Sequence, residues 1–316
     1  MDDHLIGVLS NIGVLSFVGL SAYILLLTGS VSFGQQAFFA IGAYGAGIAT
    51  ALWRWPLSAG LTFGAACAAL AAVLVGLPTL RLHGVQFAAA TLAFAEAVRI
   101  LFEMFRYQIR IDGEWAGPDG INGFGGIRYA FENFSAAEFL GLIWAVLGGV
   151  VLLACLLERS RLGAILRTIG EDEVLAEVQG ISPARCKVLA AGVAGAVAGM
   201  GGGLYAHLTT YIEPRVFDVM LGVHALAYGL IGGLGTPLGP LLGVAIDIGL
   251  LESTRLFAGY RMIVFGGLVA VLLLMRPRGL MDETMVNRIA RAWRWRRASV
   301  PKPLRSTKSR AGSKLS

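Results

Sequence analysis

The chain has 316 residues, of which 56% are hydrophobic and 15% charged, and its mean hydropathy is +0.70. A soluble domain carries about a quarter charged residues, so this balance excludes one and points to an integral membrane protein. The net charge of +6 is unevenly placed: from Arg276 onward twelve Lys/Arg stand against only Asp282 and Glu283.

Nine apolar runs read as candidate spans, at about 5–27, 33–52, 57–77, 84–105, 139–157, 184–211, 218–234, 238–256 and 262–275. The second and seventh are glycine-rich and fit either full or broken crossings, so the expected fold is an all-α polytopic bundle of about eight to ten membrane helices. The first run follows Met1-Asp2-Asp3-His4 with no basic segment before it, and it reads as a span rather than a cleaved leader. The 43 glycines suit close helix contact in lipid.

Orientation follows the basic residues. With the tail in the cytoplasm, Arg81, Arg159, Arg161, Arg167, Arg276 and Arg278 all fall inside, while the segment 106–138, where acids outnumber bases, falls outside with the N-terminus. Arg54 alone disagrees. Residues 1–282 are thus expected to form a membrane domain with a periplasmic loop at 106–138, and 283–316 a basic cytoplasmic tail. In that tail Arg291-Ala-Trp-Arg-Trp-Arg-Arg297 resembles an interfacial helix, so anionic lipid is the expected partner rather than nucleic acid. From Ser299 the composition is that of a disordered segment.

Entering the second span, Gly29-Ser-Val-Ser-Phe-Gly-Gln-Gln36 brings amides and hydroxyls into the bilayer. Ser32, Gln35, Gln36 and Tyr44 are candidates for a translocation pathway, and helix packing with amides as glue is the other reading. On the fourth span Glu96, Arg99 and Glu103 share a face. Glu96 lies deepest and joins the pathway candidates, while Arg99 and Glu103 read as an ion-pair stripe near the outer interface. Asp247, mid-way along the eighth span, is a further pathway candidate. His224 is more simply a satisfied core group, and His207 an interfacial one.

Between the fifth and sixth spans lies the longest charged interruption, 159–187. Its acidic middle (Glu171, Asp172, Glu173, Glu177) reads as a short amphipathic helix with Val174, Leu175 and Val178 on one face. Gly180 sits where a helix takes a left-handed cap, and Ser182-Pro183 reads as an N-cap followed by proline at the first helical position. Two readings fit: a solvated loop helix, or a docking knob that moves with another protein. In the sixth span Ala191, Gly195, Gly199 and Gly203 form a small-xxx-small stripe for helix packing. Gly232-Gly-Leu-Gly-Thr-Pro-Leu-Gly-Pro240 reads as a structural turn, with Pro237 placed to begin the next helix.

No catalytic constellation is visible, so no catalytic residue is expected. The glycine runs 123–126 and 199–203 lack the context of a phosphate loop, and no G-x-x-x-x-G-K-[ST] occurs. Cys67, Cys155 and Cys186 show no metal or disulfide spacing.

Five blocks in this order resemble the permease subunits of branched-chain amino-acid ABC importers, the M-type subunit of the high-affinity Leu/Ile/Val systems. They are SFGQQAFFAIGAY (32–44), LRLHGVQFAAATLAFAEAVR (80–99), RSRLGAILRTIGEDEVLAEVQGI (159–181), GGLGTPLGP (232–240) and RPRGL (276–280). The resemblance covers about residues 15–282. It implies a subunit without enzymatic activity or bound cofactor. ATP and magnesium would be used by two cytoplasmic ATPase subunits, beside a sister permease and a periplasmic amino-acid-binding protein. Glu171, Asp172, Glu173, Ala176, Glu177 and Gly180 then correspond to the family's ATPase-coupling segment. Val174 and Val178 stand where that segment usually has small residues. The outer run Trp115–Ile121 also departs from the usual Thr-Gly-Gly, which leaves the ligand class open between branched-chain and other neutral amino acids. An ABC permease for urea or short amides is the nearest alternative. An ion-coupled secondary transporter using Glu96 or Asp247, and a non-transporting scaffold, are the others.

Overall fold

The structure, a computed structural model, describes residues 3–79, 82, 84–111, 114–253, 261–276 and 279–281. The expected basic tail and its lipid contact lie outside these residues.

The chain folds as a helical bundle. Its membrane helices are α1 (Asp3–Leu26), α2 (Gln35–Ala51), α3 (Leu57–Thr79), α4 (Val85–Met104), α6 (Ala136–Arg159), α9 (Pro183–Thr209), α10 (Val219–Gly232), α11 (Gly239–Ser253) and α12 (Arg261–Met275). Each matches one expected span. Among the described residues six stretches are long and apolar enough to cross a bilayer, α10 qualifying through the 3-10 turn at Pro214–Val216 that precedes it. The other three, α2, α11 and α12, have 17, 15 and 15 residues.

The 27-residue α9 is the centre and packs against α1, α2 and α3. Its small residues explain why. A Cβ built on Gly202 would lie 1.9 Å from the Phe39 carbonyl oxygen, and one on Gly42 of α2 only 2.1 Å from that of Gly199. Such backbone approach brings many dispersion contacts into range, and in lipid, where burial alone gives no drive, these hold helices together. Toward α3, a Cβ on Gly195 would meet Ala72 and one on Gly199 would meet Ala68, each at 2.5 Å. Gly203 faces Leu61 and Ala46, and Ala191 is buried.

The described residues of the 106–138 segment fold at one end of the bundle. β1 (Ile109–Ile111) and β2 (Glu114–Ala116) form an antiparallel hairpin, and β3 (Phe124–Gly125) pairs with β4 (Tyr211–Ile212) just beyond α9. The glycine run turns here: Gly120, Gly123 and Gly126 all have φ between 59° and 81°. At Gly123 an added Cβ would also strike the Ile212 carbonyl. After the short α5 (Tyr129–Asn133), Ser135 and Glu138 form a capping box that starts α6 three residues before the expected boundary.

At the opposite end, the 232–240 turn meets Gly279–Met281. Leu280 N donates to Ile231 O at 2.9 Å, and Gly235 N to Met281 O at 3.1 Å. The expected helix start at Pro237 is corrected: α11 begins at Gly239 with Pro240 following, because Thr236 Oγ1 takes the Leu238 N–H and holds residues 236–238 in a turn.

Candidate functional site: the coupling segment and the polar interior

The charged interruption forms two helices rather than the single one expected. α7 (Arg161–Glu171) and α8 (Glu173–Val178) are divided at Asp172, whose Oδ1 accepts from Val174 N at 2.9 Å and Leu175 N at 3.0 Å. A carboxylate cap at that point ends one helix and begins another. The acidic cluster is therefore split, with Glu171 closing α7 and Glu173 and Glu177 on α8. Gly180 takes φ 81° and Ile181 N returns to Ala176 O, which reverses the chain. Ser182 and Pro183 then start α9, although the Ser182 side chain makes no cap hydrogen bond.

α7 lies against the bundle through buried Leu166 and Ile169. At Gly170 it passes so close to the corner after α1 that a Cβ would sit 2.4 Å from Leu27 O. α8 does the opposite. Only its Ala176 is buried, and Val174, Leu175 and Val178 are 69%, 51% and 80% exposed. The outward side of α8 is therefore apolar, on an otherwise charged loop.

Two polar joints tie this segment to the spans, and neither stood out in the sequence. Lys187 of α9 is buried and its Nζ lies 2.6 Å from Glu173 Oε2. Glu158, at the end of α6, accepts from Arg167 of α7 at 2.9 Å and from the buried Tyr23 hydroxyl of α1. The one available signal was an acid, Glu158, set in the basic end of a span. Beside the first joint is a cavity of about 500 Å3. It is walled by Ser30, Phe33, Val85 and Ala88 as well as Glu173 and Lys187.

The six pathway candidates fall in three places. Ser32, Gln35, Gln36 and Tyr44 are all buried inside this chain's own bundle. Ser32 Oγ accepts from Gly34 N, Gln35 Oε1 accepts from Ser21, and Gln36 packs onto Gly222 of α10. Tyr44 stacks on Phe102 with ring centroids 4.0 Å apart. Gln35 Nε2, both Gln36 amide atoms and the Tyr44 hydroxyl find no hydrogen-bond partner among the described residues. Asp247 is separate. It is buried where α11 meets α10, with Oδ2 accepting from Tyr228 at 2.7 Å and Oδ1 unpartnered among the described residues. Glu96 is separate again, half-exposed on α4 and held by Arg99.

The histidines differ. His207 is buried rather than interfacial, bonded to Thr50 at 3.0 Å and the Gly203 carbonyl at 2.7 Å. His224 bonds its own helix at Met220 O and lies beside Phe265.

A family model described as branched-chain amino acid transport system / permease component matches residues 4–275. The high-affinity branched-chain amino acid transport system permease protein LivM of Escherichia coli is 28% identical over 299 residues, covering 89% of this chain and 68% of that protein. LivM of Salmonella typhimurium is 27% identical over the same shares. The nucleoside ABC transporter permease protein NupB of Lactococcus lactis is 29% identical over 109 residues, covering 34% of this chain and 29% of NupB. No solved structure matches.

Proposed function

The chain belongs to the family of branched-chain amino acid transport permease components, a multi-pass membrane transport component, and on that premise we propose the following assembly and mechanism. It pairs with a sister permease to form the path for branched-chain amino acids delivered by a periplasmic binding protein. Two cytoplasmic ATPase subunits supply the force, and ATP and magnesium bind there rather than on this chain. The α7–α8 end and the C-terminus face the cytoplasm, and the β-hairpin end faces the periplasm.

The observation that carries this reading is α8. It presents Val174, Leu175 and Val178 outward while Ala176, Lys187 and Gly180 lock it to α9. ATP-driven closure of the ATPase pair pushes on that face. The displacement passes through Glu173–Lys187 into α9, and through Arg167–Glu158–Tyr23 into α6 and α1. Because α9 is in backbone contact with α2 and packed against α3, these helices move together rather than yielding singly.

The test is uptake of labelled L-leucine into proteoliposomes holding the full complex, driven by ATP and a loaded binding protein. Uptake that needs ATP and survives a protonophore is expected. Uptake abolished by the protonophore and independent of ATP would favour an ion-coupled carrier using Asp247 or Glu96.

A further inference from the structure

α4 and α6 are the two most exposed of the long apolar helices; both expose large apolar side chains, and α4 adds half-exposed ionic ones. The outward side of α6 shows Leu152, Leu153 and Leu156, which suits lipid. α4 carries a charged triad. Arg99 Nε lies 3.0 and 3.1 Å from the two carboxylate oxygens of Glu96, and its Nη1 pairs with Glu103. One guanidinium between two carboxylates leaves a net negative charge. At 1.5 Å per residue Glu96 lies about 17 Å along a helix about 30 Å long, so the triad runs from near mid-membrane toward the hairpin end. Charges at that depth face water or protein, not lipid.

The same side of α4 reaches the cavity. Ala88, Leu92, Glu96, Arg99 and Glu103 follow one another at spacings of four, four, three and four, which is one helical stripe. Ala88 lines the cavity of about 500 Å3 at the α8 end. One face of α4 thus joins an opening at one end of the bundle to ionic groups near the other, with exposed Ile100 between Glu96 and Glu103.

We infer that this face lines the translocation route and that the Glu96–Arg99–Glu103 triad receives the zwitterionic backbone of an aliphatic amino acid. This rests on the permease reading above. The ligand carboxylate takes the Arg99 fork, its ammonium takes a glutamate, and its side chain lies along Ile100. Each ion pair the ligand breaks it also replaces, so the exchange is nearly neutral. Such a site passes its ligand on instead of trapping it, as a conducting path requires. An uncharged amide or urea makes neither replacement and a singly charged ligand makes only one, and this selects a zwitterion over both.

The test uses the assembled transporter in proteoliposomes with leucine-loaded binding protein. Arg99→Gln is expected to assemble with its partner subunits and lower L-leucine uptake about tenfold or more, with Arg99→Lys losing less. In a chain whose three natural cysteines are replaced, Ile100→Cys is expected to react with a membrane-impermeant thiol reagent. Unchanged uptake in Arg99→Gln overturns the inference. So does failure of Arg99→Gln to assemble, which makes the triad a structural seam, and so does an Ile100→Cys reached only by a lipid-soluble reagent. Absence of ATP-driven uptake in the unaltered complex would instead count against the permease reading itself.

Discussion

Lys187 Nζ and Glu173 Oε2 are 2.6 Å apart, and this pair fastens the exposed helix α8 to the central helix α9. The lysine side chain is 10% exposed and the glutamate 31%, so the pair is partly shielded from water and from salt. Glu173→Gln leaves a buried ammonium without its counter-charge. It is expected to lower uptake per ATP hydrolysed by about fivefold or more. The exchanged pair Glu173→Lys with Lys187→Glu should recover much of the loss. Simultaneous measurement of hydrolysis and uptake checks both, and a double variant no better than the singles would separate the pair from coupling.

Val178 is the most exposed apolar residue of α8. It touches little of its own chain, so Val178→Asp should leave the bundle's thermal stability within about 0.5 kcal/mol. The same change puts an unpaired charge into the proposed ATPase contact and should sharply reduce recovery of ATPase subunits on purification. Full recovery would place the docking face elsewhere.

Gly202 and Gly148 should respond oppositely to alanine. At Gly202 the new methyl meets the backbone oxygen of Phe39, which cannot rotate away, and Gly202→Ala should cost roughly 1–3 kcal/mol by overpacking α9 on α2. At Gly148 of α6 nothing lies within 4 Å, so Gly148→Ala should be neutral or should stabilise by up to about 1 kcal/mol through helix propensity. Thermal unfolding of the two purified variants in detergent decides the matter.

Tyr228 gives Asp247 the one hydrogen bond found for it among the described residues. Tyr228→Phe should therefore destabilise by about 1 kcal/mol, since it leaves a buried carboxyl with neither oxygen partnered. Asp247→Asn keeps an acceptor for Tyr228 and removes the ionisable group, so stability should hold. If Asp247 carried protons in transport, uptake by Asp247→Asn would collapse; an ATP-driven importer should retain it.

Membrane character, the positions of the nine apolar helices, the Gly180 reversal and the Ser182-Pro183 start could all be read along the chain. These features are local. A run of apolar residues faces lipid or other helices wherever it sits, and glycine or proline constrains its own backbone. The division of the coupling segment at Asp172 was missed because an acidic residue reads equally as helix interior or cap until its side chain is seen to turn back on Val174 and Leu175.

What the chain could not disclose is which polar residues meet. Tyr23 reaches Glu158 across 135 positions, and Ser21 reaches the Ala194 carbonyl across 173. No periodicity announces such pairs, because they depend on how close neighbouring helices come. Composition alone determined that this protein lives in a membrane and roughly where it crosses. The tertiary structure decided that α8 turns its valines outward, that Gln36 and Asp247 lie in different parts of the interior, and that Glu96 stands half-exposed beside Arg99. The backbone contact between glycines of α9 and α2 sets the spacing of those two helices, and so the reach of the side chains between them, which no local pattern in the sequence states.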